Sequence, residues 1–157
     1  MIKRTFLSVV ILGVLLLASS CSLIRNLGDF QRRVGNGIEQ ECGRPAECRI
    51  KLGDYTDFRW DTLYVFDEAT DDELITRVLG KPLAGWEEMT CYEVFLLDGK
   101  IVHQEHFEVD FEKPMSREVL FYHATDKQFS IWKPQQSVAV RIARHTPTQF
   151  EVGDWPR

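Results

Sequence analysis

Asp98-Gly99 stands between two runs rich in apolar and aromatic residues, Cys91–Leu97 and Lys100–Phe111. A two-residue hairpin loop favours residues that accept positive φ at both positions, so this pair reads as a tight turn between antiparallel strands. Further strand-like runs follow at short, regular spacing: Val119–Ala124, Gln128–Lys133 across the turn Asp126-Lys127, and Ser137–Arg144. In the last of these, Val138, Val140 and Ile142 alternate with Ala139, Arg141 and Ala143, the pattern of a sheet with one buried face. Upstream, Arg49–Leu52 and Trp60–Phe66 read as strands, with Asp54–Asp57 as a loop between them. No helical pattern separates the later strands, which excludes parallel pairing through a helical crossover.

One or two packed helices are expected. Thr70-Asp71-Asp72-Glu73 has capping-box spacing, with Thr70 as the cap and Glu73 reaching back, and a helix then runs to Leu79, stopped by Gly80 and Pro82. Its buried face would carry Leu74, Ile75, Val78 and Leu79. Between Leu23 and Glu39, apolar residues at 23, 27, 30, 34 and 38 form a single helical stripe, weakened by Gly28, Gly35 and Gly37. The fold class expected is therefore α+β: a single antiparallel sheet of five to seven strands with one or two packed helices. At 157 residues, 44% hydrophobic and 27% charged, the chain has room for one such domain and an appendage.

The appendage is N-terminal. Lys3-Arg4 precedes the apolar run Phe6–Leu17 and then small residues, the layout of a secretory signal. Leu17-Ala18-Ser19-Ser20-Cys21 resembles the lipobox of bacterial lipoproteins, with Ala18 where Leu is commoner. That resemblance implies cleavage before Cys21 and lipidation of its thiol and amine; Ser22 in place of Asp implies sorting to the outer membrane. The alternative is an uncleaved anchor, since Thr5–Ile24 is uncharged over about 20 residues, but its dense apolar part is short. The domains expected are a signal peptide over 1–20, a lipidated N-terminus and helical tether over 21–41, and an α+β globular domain over 42–157. Loss of Lys3 and Arg4 takes the net charge from −5 to −7. That acidity, with a pI near 5.4, argues against a nucleic-acid partner and for a basic protein partner beside the membrane contact through lipid.

Of the four cysteines, Cys42 and Cys48 enclose Gly43-Arg44-Pro45-Ala46-Glu47, a sequence suited to a tight turn, and are expected to form a structural disulfide that leaves Cys91 free. The rival pairing joins Cys91 to one of them. Tyr55–Phe66 with the helix Asp71–Leu79, in particular Trp60-Asp61 and Tyr64-Val65-Phe66, resembles segments of small uncharacterised bacterial envelope lipoproteins. The resemblance implies an address and a fold but no activity. Asp61 is suited to holding a loop amide.

No catalytic set, metal site or cofactor is expected. His103-Gln104-Glu105-His106 has ligand chemistry, yet on a strand His103 and His106 face opposite ways, and His103 with Glu105 makes only two ligands. Asp67, Glu68, Asp71, Asp72 and Glu73 lack the order of a calcium loop and fit helix-start electrostatics. Cys91 could in principle act with His123 or His145, but no local signature of nucleophilic catalysis surrounds it. Trp86 beside Glu87-Glu88 is a possible interface, and Trp132 and Trp155 are further aromatics near polar loops. The function expected is thus a non-catalytic binding, inhibitor, immunity or scaffolding module; the alternative is a lipid-anchored hydrolase using Cys91 or a His/Glu pair.

Overall fold

The computed structural model describes residues 28–42, 48–107, 119–121, 128–142 and 149–153. In chain order the elements are helix α1 (Asp29–Cys42), β1 (Cys48–Lys51), a 3-10 turn (Leu52–Tyr55), β2 (Thr62–Phe66), α2 (Asp72–Leu79), β3 (Cys91–Leu97), β4 (Lys100–Phe107), β5 (Val119–Phe121), β6 (Phe129–Trp132), β7 (Ser137–Ile142) and β8 (Phe150–Gly153). The class is α+β, but the described strands form two sheets of four and not one: β1-β7-β8-β5 and β4-β3-β2-β6.

The two sheets enclose one core. Ile50, Val138, Val140, Phe150 and Val152 come from the first sheet, and Leu63, Val65, Phe95 and Trp132 from the second. The second sheet is also covered on its outer side, where Phe66, Tyr92, Val94 and Leu96 meet Ile75 of α2 and Leu83 of the following loop. This double covering explains why Cys91–Leu96 is an unbroken buried run, while β7 alternates as expected of a strand with one wet face. Alternation reports which face of a strand is buried and not which strand lies beside it, so the sequence pattern left the division into two sheets unmarked.

Pairing departs from the expected meander at one further point. β5 runs parallel to β8, with Val119 opposite Phe150 and Phe121 opposite Val152. Among the described residues no helix makes this crossover: β6 and β7 lie between the two strands in sequence, and the chain visits the other sheet on the way. β8 itself was not anticipated, because four residues offer too short an alternation.

The hairpin behaves as read. Asp98 and Gly99 have φ of 51° and 73°, and β3 pairs with β4 in antiparallel register on either side of them. The register shifts between Phe95 and Leu96, which leaves Val102 of β4 as a bulged residue, 45% exposed. Asp61 does hold a loop amide: its Oδ2 accepts from Asp98 N at 2.7 Å, and that bond draws its carboxyl below the usual range.

The cap of α2 is a correction. Asp71, not Thr70, occupies the N-cap, its carboxylate accepting from Leu74 N at 2.7 Å. Thr70 is unavailable because its hydroxyl is engaged with Asp67 and with the Gln128 carbonyl beside β6. Gly80 ends the helix at φ 72°, as expected.

α1 covers residues 29–42 of the stripe expected from Leu23, whose first positions lie outside the described residues. Phe30, Val34 and Ile38 are buried in the core between the sheets. Gly37 lies where a Cβ would overlap the Tyr55 ring, so a residue that weakens the helix permits its close approach to the 3-10 turn. The Cys42–Cys48 disulfide then ties the end of α1 to the start of β1, with Cα atoms 5.5 Å apart, and Cys91 is free and buried.

Candidate functional site

Three elements meet at a cleft of about 210 Å³: Asp29, Phe30 and Arg33 of α1, the segment Tyr55–Phe58, and His103 with Glu105 of β4. His103 and Glu105 are two apart on one strand and share its inner face. Nε2 of His103 lies 2.7 Å from Oε1 of Glu105, and the Phe58 ring stands 4.7 Å from the imidazole. The other carboxylate oxygen of Glu105 accepts from Phe30 N at 2.9 Å. Glu105 therefore caps α1 from a strand 75 residues away, supplying an acceptor and a negative charge to a helix start. A Cβ at Gly28 would overlap this carboxylate, so a larger residue there would require the Glu105 side chain to shift. On the rim, Arg33 joins Asp29 at 2.7 Å to Asp57 at 3.1 Å.

Beneath the cleft is a polar cluster in the core. Glu93 lies opposite Glu105 in the β3–β4 register and is fully buried. Its Oε1 accepts from Gln31 Nε2 at 2.8 Å, and its Oε2 has no partner among the described residues. Burial foremost, and then the charge of Glu105, push the Glu93 carboxyl up to about 8, so it is mostly protonated at neutral pH. Gln31 also donates to Val119 O at 3.1 Å and accepts from Val119 N at 3.0 Å. Its side-chain amide thus pairs with β5 as a neighbouring strand would. Neither residue was singled out from sequence, although a lone carboxylate in Cys91-Tyr92-Glu93-Val94-Phe95 and a glutamine beside the α1 stripe were visible there.

Cys91 belongs to a different environment. Its thiol donates to Glu68 Oε2 at 3.6 Å, and burial with the nearby carboxylates raises its pKa. A nucleophilic cysteine needs the opposite, an electropositive surrounding that stabilises thiolate. His106 projects to the other face of β4 near the Tyr92 ring, away from His103. Among the described residues no group of three or more His, Cys, Asp or Glu could hold a metal. Cys21, His123, His145 and Trp155 lie outside the described residues.

The expected interface residues occupy the loop after α2. Trp86 is half-buried against the outer cluster, its Nε1 buried without a partner among the described residues, so it anchors the loop and does not project from it. Glu87 and Glu88 are exposed, and Met89 is 71% exposed with φ 59°. The loop backbone is held firmly: Glu87 N donates to Tyr92 Oη at 2.5 Å, Tyr92 Oη donates to Gly85 O, and Gln104 Nε2 donates to Ala84 O at 2.8 Å.

Fold and site together define an α+β protein of two packed four-stranded sheets, with a helix-walled cleft at one end and a pinned acidic loop. No protein-family profile, curated protein or solved structure matches the chain. No described helix is long and apolar enough to cross a membrane.

Proposed function

We propose that this chain is a lipoprotein of the bacterial envelope, anchored through Cys21 in the outer membrane and facing the periplasm, and that it binds a basic protein partner as an inhibitor, immunity or scaffolding module. The observation that carries the reading is the pinned loop presenting Glu87, Glu88 and Met89. A loop already held in shape loses little conformational freedom on binding, and a non-glycine residue at positive φ is a feature that recurs at recognition sites. The acidity of the chain supports the sign of the partner.

Two measurements test the reading. Metabolic labelling with a fatty-acid analogue should mark the wild type and not Cys21→Ala; labelling that survives the substitution removes the anchor. A photocrosslinker at position 89 should give one basic adduct in the envelope that Glu87→Lys/Glu88→Lys eliminates. Adducts unaffected by charge reversal refute the binding surface.

A second reading is favoured by one observation, the His103–Glu105 pair within a cleft. A carboxylate that orients an imidazole is half of a general-base arrangement. The aliphatic hydroxyl lining the same cleft, Thr56 Oγ1, is engaged by Gly53 O and Trp60 Nε1. Activated-ester hydrolysis that is lost in His103→Gln would move the assignment to a hydrolase.

A further inference from the structure

We propose that the first turn of α1 is a proton-operated clasp: it stays docked while the Glu93 carboxyl keeps its proton, and it lifts from β4 and β5 when that carboxyl ionises, opening the cleft. The geometry places every required part in contact. Gln31, in the first turn, is held by one carboxyl oxygen of Glu93 and by both backbone groups of Val119. Phe30, its neighbour, is held by Glu105. Asp29, Phe30 and Arg33 form one wall of the cleft, so movement of this turn enlarges it.

Ionised Glu93 is poorly served in the docked state. One oxygen has a single amide donor and the other has none among the described residues, in a position sealed from water. The nearest charge across the β3–β4 ladder is Glu105, of like sign. From β2 the opposing residue is Val65, and from β5 the contact is the Val119 backbone, neither of which titrates. His103 faces Glu105 and not Glu93, while Cys91 on the same strand is kept neutral by its own burial. On α1, Arg32 and Arg33 both pair with Asp29 at the exposed rim, and Arg33 pairs with Asp57 as well. Nothing cationic therefore balances Glu93 from any of these elements, and lifting the turn lets water and Gln31 rearrange around it.

The sign follows from linkage. Docking of the α1 turn adds to the burial that pushes the Glu93 carboxyl up to about 8, so the docked state binds more protons than the lifted one. Docking is strongest while both states keep the proton, weakens by at most about tenfold per pH unit once the lifted state ionises, and levels off above about 8. Between pH 5.5 and 7.5 the open population rises, by at most about a hundredfold. This inference does not depend on the identity of any partner.

Hydrogen exchange of the full chain, read by mass spectrometry and corrected for the intrinsic pH dependence of exchange, tests it. Peptides over 29–36 should lose protection, by up to about a hundredfold, between pH 5.5 and 7.5 while β2, β3 and β7 keep theirs. Glu93→Gln, which preserves an acceptor for Gln31, should make α1 protection independent of pH. In Glu105→Gln the dependence should persist with its upper plateau moved to lower pH, and carboxyl carbon shifts of Glu93 should report the same midpoint. Equal loss of protection in all strands would show a core whose general stability titrates, without a clasp. Unchanged pH dependence in Glu93→Gln, or in the event that this variant does not fold, a Glu93 shift midpoint near 4.5 in the wild type, would overturn the proposal.

Discussion

Gln31→Leu isolates the polar contribution of the α1 clamp, because leucine conserves much of the side-chain volume and opens little cavity. The substitution removes three hydrogen bonds: Gln31 Nε2 to Glu93 and to Val119 O, and Val119 N to Gln31 Oε1. Each bond by itself contributes about 1 kcal/mol net, but a buried group left without a partner costs about 1–3 kcal/mol. Glu93, Val119 N and Val119 O are all stranded, so a loss of at least about 3 kcal/mol is expected, partly relieved if water enters beside β5. That is a large share of the roughly 5–15 kcal/mol by which a domain is stable. Urea denaturation at pH 5.5, where Glu93 is neutral, should show a lower midpoint with an unchanged slope. Gln31→Leu/Glu93→Leu should recover part of the loss, because one stranded group is then gone. A loss under about 1 kcal/mol, or a double variant less stable than the single one, would refute the assignment of Gln31 as a clamp.

Asp71→Ala should cost about 1 kcal/mol by removing the cap of α2, whereas Thr70→Val should act instead through the lost tie to Gln128; comparison of the two melts, with α2 exchange protection, separates the roles. Gly99→Val should destabilise by about 1–2 kcal/mol or more because φ of 73° is strained for a β-branched residue, and wild-type melting would refute the turn assignment. Non-reducing peptide maps should recover Cys42 joined to Cys48, and Cys42→Ala should lose about 2 kcal/mol by the chain-entropy account of so short a loop. Cys91 should resist alkylation at pH 8 in the folded protein and react on denaturation; fast labelling of the native chain would contradict its buried, protonated state.

What the sequence disclosed was local. Asp98-Gly99, the α2 stop at Gly80 and the Cys42–Cys48 disulfide are each decided by residues close together in the chain, and each stands where it was read. The partition into two sheets and the β5–β8 pairing depend on which strand faces which across the core, and alternation carries no such information. The cleft shows the same division. His103 and Glu105 were placed on one face by strand periodicity alone. Their companions, Phe30, Arg33 and Phe58, arrive from segments tens of residues away, and the cap that Glu105 provides spans 75 residues. Thr70 was misassigned because a capping box is a local rule, and a non-local carbonyl, Gln128 O, competed for the hydroxyl.

β5 lies at the border of its sheet, where a strand ordinarily offers unpaired amides and carbonyls to any extended chain that drifts past. The Gln31 side chain occupies the outward pair of Val119 and leaves no ladder position there for a foreign strand. One glutamine on a helix thus guards a sheet margin against self-association. Removing it should expose a sticky edge, so Gln31→Leu should form oligomers at concentrations where the wild type stays monodisperse, even under conditions in which both remain folded.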